Sequence, residues 1–183
     1  MRVLMLNGSL NQKGCTHTAL QLMAKKLQSK NIYSDIIWGG DKALQDCAFC
    51  YACNKLGKCI YDDDIVNEFI EKSKISDGFV LGIPMIHAHP SGRIISILDR
   101  VLQAGGKHLS NKPVSIIIIT QNKDIKPILP MLNEYFITNK MPIIFSENQN
   151  ILYARTPKEI YTSPKSMQCI SSLSQDIIQN IQQ

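Results

Sequence analysis

Nowhere in the 183 residues do apolar residues run on for the roughly 18 positions that a membrane-spanning helix needs. Basic residues do not cluster either. The net charge of +5 is spread thinly along the chain, so a solvated surface is expected rather than a nucleic-acid or membrane partner. No Gly-Lys-Ser/Thr follows a glycine-rich turn, which excludes a nucleoside-triphosphate loop, and no Gly-x-Gly-x-x-Gly offers a seat for a pyrophosphate. No Ser/His/Asp order and no carboxylate pair stands out, and Asp62, Asp63 and Asp64 read as a helix-capping run. Repeats, linkers and low-complexity stretches are missing too, so one domain over residues 1–183 is expected. A chain of this length buries about 70% of its unfolded surface and needs neither disulfides nor metals merely to fold. The apolar stretch before Asn7-Gly8-Ser9 is too short for a signal peptide, which makes a cytoplasmic location the expectation.

What is present is an alternation. Val3 to Leu6 is a short apolar run stopped by Asn7-Gly8-Ser9, and it reads as a buried strand. Leu20, Met23 and Leu27 then recur at helical spacing, and Tyr33 to Trp38 can form a second strand. Ile65, Val66, Phe69 and Ile70 mark a helix, and Phe79 to Ile83 a third strand closed by Pro84. A helical stripe follows at Ile94, Ile95, Leu98, Val101 and Leu102, and a β-branched run from Val114 to Ile119 reads as a central strand covered on both faces. Ile128 to Phe136 suggests a helix, Pro142 to Phe145 a short fifth strand, and Met167 to Ile181 a last helix. Five strands alternating with helices predict an α/β fold with a doubly wound, five-stranded parallel sheet in three layers. In that architecture ligands bind outside the carboxyl ends of the strands, where strand order reverses.

Two loops fall there. The first runs from Gly8 to Thr18, with Ser9, Asn11, Cys15, Thr16 and Thr18 leading into a helix. Backbone amides at a helix N-terminus, aided by hydroxyls, form an anion site. The simpler alternative is a polar turn capped by Thr16 or Thr18. The second loop, Pro84-Met85-Ile86-His87-Ala88-His89 and on to Gly92, carries two prolines that would fix backbone amides against a planar ring. His87 and His89 have no acidic neighbour, so they are weak metal candidates.

Six cysteines would not stand out by number, but four crowd together as Cys47-x2-Cys50-x2-Cys53-x5-Cys59. In a reducing compartment this predicts metal or redox chemistry before structural disulfides. A 4Fe–4S cluster, a zinc ion, or free thiols on a dimer-contact loop all remain open. The segment also carries Ala48, Phe49, Tyr51, Ala52 and Leu56, apolar content that predicts a homodimer contact. Cys15 and Cys169 stand alone.

Taken together these segments resemble the NADPH-dependent FMN reductase family, flavodoxin-like in fold, and within it the iron–sulfur flavoproteins. The resemblance rests on Gly8-Ser9-Leu10-Asn11, on Gly14-Cys15-Thr16, on the cysteine run leading to Asp62-Asp63-Asp64-Ile65, and on Pro84-Met85-Ile86 through Leu98-Asp99-Arg100. It implies FMN, with its phosphate at Ser9, Asn11, Cys15, Thr16 and Thr18. The ring would lie against Pro84, Met85, Ile86, His87, Ala88 and His89, beside the loop that begins at Thr120. It also implies a dimer, a cluster on Cys47, Cys50, Cys53 and Cys59, and NAD(P)H or a reduced partner protein as electron donor. Leu10 and Asn11 stand where the family has Pro and Arg, Ile86 where an aromatic is usual, and Ala88 where a glycine is usual. No glycine follows Thr120 in the loop after strand four. A non-enzymatic binding or regulatory protein on the same scaffold is the alternative.

Overall fold

The computed structural model describes residues 1–87, 89–121, 129–145 and 150–182. The chain runs β1 (Arg2–Asn7), α1 (Cys15–Gln28), β2 (Tyr33–Trp38), α2 (Cys53–Leu56), α3 (Val66–Ser73), β3 (Gly78–Ile86), β4 (His89–Pro90), α4 (Gly92–Leu109) and β5 (Val114–Thr120). It continues through α5 (Leu129–Thr138), β6 (Ile143–Ile144), β7 (Ile151–Tyr153), α6 (Pro157–Thr162) and α7 (Pro164–Ile181). The sheet order is β2-β1-β3-β5-β6, parallel throughout, with order reversing between β1 and β3.

Strand periodicity builds the three layers. Leu4 and Leu6 of β1 join Phe79, Leu81, Ile116 and Ile118 under Ile70, Ile97, Val101, Leu132 and Phe136 from α3, α4 and α5. Val3 and Met5 face the other way, with Val80 and Ile117, against Leu20, Met23, Ile170 and Leu173 from α1 and α7. A strand buried on both faces reads as a near-continuous apolar run, and β5 is buried along its whole length, its buried Ser115 hydroxyl satisfied by donating to Ile144 O at 3.1 Å.

The expectation of five strands is corrected to seven among the described residues. The outer strand is interrupted. Among the described residues β6 pairs with Val114 and Ser115 of β5, and β7 takes up the same edge opposite Ile118 to Thr120. β4 is a two-residue antiparallel return, Met85 opposite Pro90 and Ile86 opposite His89. Nor does Pro84 close the third strand, as the sequence predicts. The Gly8 amide donates to Gly82 O at 2.9 Å, so residue 82 faces β1, and residue 84 faces the same side two positions on. β1 has ended by then, its last pair being Asn7 with Gly82, so the missing proline N–H interrupts no ladder. α2 and α6 are short helices with no periodic signal in the sequence.

Candidate functional site

The carboxyl ends of β1, β3 and β5 lie side by side, and they bring together the first loop, the β3–β4 hairpin and Thr120. The first loop is preformed by its own side chains. Asn7 Oδ1 accepts the Ser9 amide at 3.1 Å, Ser9 Oγ the Asn11 amide at 3.1 Å, and Asn11 Oδ1 the Lys13 amide at 3.2 Å. Asn7 Nδ2 reaches Gln12 O, and Trp38 Nε1 donates to Ser9 O at 2.8 Å. These are local turn bonds of the Asx and Ser/Thr kind.

The loop delivers the N-terminus of α1. Gly14 is its N-cap, no side chain caps it, and its first turn holds no acidic residue. That leaves backbone donors and a positive dipole end for an anion. Ser9 and Cys15 are half-buried and Asn11 is exposed. Thr16 and Thr18 are buried, and neither is the cap; Thr18 Oγ1 donates back to Gly14 O at 3.1 Å. Burial pushes the Cys15 thiol up, with Glu159 adding to the effect and a backbone hydrogen bond opposing it, so it stays neutral. Burial, helped by Lys13, lowers His17.

Two glycines make the close approach possible. A Cβ on Gly8 would lie 2.2 Å from Ile94 Cδ1, and one on Gly82 would lie 2.5 Å from Thr16 Cγ2. On the hairpin, Pro84 and Met85 are half-buried, Ile86 ends β3, and His87 is exposed at φ +48°. Ala88 lies outside the described residues. His89 is exposed, its Nδ1 2.8 Å from Pro90 O. Thr120 is buried at the end of β5, with its carbonyl accepting the Ala154 amide. At the start of α4 the Ser91 Oγ is buried without a hydrogen-bond partner among the described residues. An uncapped helix start without acidic side chains and an orphaned hydroxyl at the start of α4 fit a phosphorylated cofactor at this edge.

The cysteines form a second centre. Cys47, Cys50, Cys53 and Cys59 all line one recess, partly open to solvent, together with Tyr61, Arg100 and Gln103. All four are free thiols. Left-handed backbone at Phe49 (φ +48°), Tyr51 (φ +54°) and Gly57 (φ +68°) turns the loop back on itself between them. Cys59 is pinned: its amide donates to Asn67 Oδ1 at 2.8 Å, and its carbonyl accepts from Asn67 Nδ2 at 3.0 Å. The Arg100 Nε donates to Cys59 Sγ at 3.3 Å. Burial works against the charge of Arg100, but Asp64 and Cys59 outweigh it and hold the guanidinium protonated.

Among the described residues no three His, Cys, Asp or Glu side chains are gathered tightly enough to share one metal ion. A tetrahedral zinc with 2.3 Å bonds needs its thiolates about 3.8 Å apart. A cube of irons takes its thiolates at four separate corners, farther from one another.

Sequence reasoning missed Gly82, Trp38, Asn67 and the Arg100–Asp64 pair. Gly82 interrupts an apolar strand, which is a signal of close backbone approach. The other three carry no local signal.

Residues 1–148 match the family profile described as NADPH-dependent FMN reductase. An iron–sulfur flavoprotein of Methanocaldococcus jannaschii is 25% identical over 159 residues, covering 85% of this chain and 82% of that protein. Another, from Clostridioides difficile, is 25% identical over 182 residues, covering 93% and 80%. Among solved structures, an archaeal flavodoxin superposes with a TM-score of 0.67 at 11% identity over the full length of both chains, and so shares the fold. No helix among the described residues is long and apolar enough to cross a membrane. The chain belongs to the NADPH-dependent FMN reductase family and is an FMN-dependent oxidoreductase.

Proposed function

We propose that this oxidoreductase is an iron–sulfur flavoprotein, with FMN at the carboxyl edge of the sheet and a 4Fe–4S cluster on Cys47, Cys50, Cys53 and Cys59. The observation that carries the reading is the single recess lined by all four thiols. When bound, FMN exchanges hydride or single electrons and a cluster exchanges single electrons, so no acid or base need come from the protein. The chain's own part is to hold and orient these groups. The α1 start, with Ser9, Asn11, Cys15, Thr16 and Thr18 in and beside its loop, receives the phosphate. Pro84, Met85, Ile86, His87 and His89 border the ring, and Thr120 closes its side. α4 begins at Gly92 beside the hairpin and carries Arg100 at the recess, eight residues on and about 12 Å along the axis. One helix thus spans the two centres. The likeness to iron–sulfur flavoproteins supports the reading, with NAD(P)H or a reduced partner protein as donor.

The segment that forms the recess also exposes apolar side chains. Phe49, Tyr51, Leu56 and Ile60 are 62%, 58%, 58% and 44% exposed. A homodimer that covers this loop accounts for them, and a monomeric mass at micromolar concentration would overturn it.

The test is anaerobic production with iron and sulfide, followed by a visible spectrum and metal analysis. About four irons and four sulfides per chain, lost in Cys50→Ser, are expected alongside flavin bands. Zinc alone would reassign the cysteines to a structural site. Flavin without metal would leave a plain FMN reductase.

A further inference from the structure

The function proposed above uses the four cysteines and leaves one buried charge unexplained. Arg100 is 1% exposed, in the middle of α4, where a polar helix position would ordinarily face water. Every nitrogen of its guanidinium is engaged. Nη1 donates to Gln45 O at 3.3 Å and to Asp64 Oδ2; Nη2 donates to Tyr61 O at 3.0 Å and to Asp64 Oδ1 at 3.3 Å. Nε donates to Cys59 Sγ at 3.3 Å. The Tyr61 ring lies against the same group, 5.3 Å from centroid to Cζ.

Gln45 precedes the cysteine run, while Tyr61 and Asp64 follow it. A single guanidinium therefore ties both ends of the cysteine loop to α4. The remaining donor is spent on a sulfur. A thiol is a weak acceptor, whereas a metal-bound sulfur is a thiolate and a strong one, especially for a charged donor. The fork of an arginine can serve carboxylate, carbonyls and sulfur together, and a lysine ammonium cannot. Asn67 holds the Cys59 backbone from both sides, and the Cys59 sulfur accepts from a charged donor, whereas the Cys53 thiol itself donates, to Gln103 O at 3.7 Å.

We propose that Arg100, braced by Asp64, is a positioning residue for the group held by the four cysteines: it fixes Cys59 as the preorganised ligand and, by donating Nε–H to that sulfur, raises the group's reduction potential. This rests on the iron–sulfur reading above. Reduction adds negative charge, which resides partly on the ligand sulfurs. A hydrogen bond to a ligand sulfur stabilises the reduced state more than the oxidised one.

The experiment compares the wild-type protein, Arg100→Lys and the double variant Arg100→Gln/Asp64→Asn, all reconstituted anaerobically with iron and sulfide. The double variant removes the donor while keeping the pair's net charge at zero, and it leaves no unpaired carboxylate. Iron and sulfide are counted, and the midpoint potential is read by a titration followed by electron paramagnetic resonance. Both variants are expected to titrate at lower potential, with at least a tenfold change in the reduction equilibrium, about 59 mV for one electron. FMN content should be retained. Wild-type protein labelled with ¹⁵N-arginine is expected to show a nitrogen coupling to the reduced cluster, a readout that needs no variant and that loop stapling alone would not produce. A loaded variant with the wild-type potential overturns the proposal, as does a loaded, labelled wild type with no arginine coupling, even if the variants fail to fold. A wild type that takes up no iron and sulfide overturns the iron–sulfur reading and this proposal with it, a failure distinct from either of the others.

Discussion

Gly82→Ala should damage the flavin site without touching it. Gly82 lies on β3 directly beneath the first turn of α1. A methyl group there would sit 2.5 Å from Thr16 Cγ2, 3.0 Å from Leu20 Cδ1 and 3.3 Å from Leu20 Cγ. Thr16 and Leu20 are buried, so neither can swing into solvent. Relief must come from α1 lifting off the sheet, which carries its N-terminus away from the loop ends. Overpacking of this kind costs about 1–3 kcal/mol, and in a chain of this size 1 kcal/mol lowers Tm by about 2–4 °C. A fall of roughly 2–12 °C, with weaker FMN binding, is expected by thermal denaturation and flavin-fluorescence titration. Thr16→Ser deletes the methyl that meets the new one. Alone it should cost about 1 kcal/mol for the lost buried group, yet combined with Gly82→Ala it should recover part of the loss, a coupling of about 0.5–3 kcal/mol. Wild-type stability and flavin affinity in Gly82→Ala would refute the close-approach argument, as would strict additivity in the double variant.

Three further outcomes follow from the same geometry. Asn11→Asp keeps the oxygen that accepts the Lys13 amide but adds a charge beside the phosphate loop; FMN affinity should fall on the order of tenfold, since unit charges about 4 Å apart repel by about 1 kcal/mol even in water, and unchanged affinity would move the phosphate elsewhere. Tyr135 donates to Asp99 Oδ1 at 2.8 Å, and burial, then Asp99, push its hydroxyl up to about 12. The folded state thus prefers the neutral phenol, so the contribution is complete below pH about 10 and is lost as pH rises towards 12. Tyr135→Phe should cost about 1 kcal/mol at pH 8, with the gap to wild type narrowing by pH 11 in urea denaturation; a constant gap would contradict the linkage. Trp38, the single tryptophan, holds Ser9 O through its indole N–H, so FMN titration should quench its emission, and Trp38→Phe should lose about 1 kcal/mol of stability.

The sequence by itself determined the architecture. Short β-branched runs such as Val114 to Ile119 read as strands buried on both faces, and helical stripes such as Ile94, Leu98 and Val101 as the helices that cover them. Those periods are local, as is the Asn7-Gly8-Ser9 turn, so the loops at the carboxyl ends were legible before any contact was known. The crowding of Cys47, Cys50, Cys53 and Cys59 was equally plain, because short spacing alone keeps thiols near one another. Tertiary structure decided the rest. The split of the outer strand into β6 and β7 depends on which part of β5 each segment meets, and Pro84 could stay within β3 only because β1 stops short beside it. Arg100 reads in sequence as a polar residue beside an apolar stripe, yet it is buried against Asp64 and Cys59, 36 and 41 positions away. No periodicity encodes such a partner, since a helix pattern records which face is apolar and not which distant carboxylate will meet the one charge enclosed there.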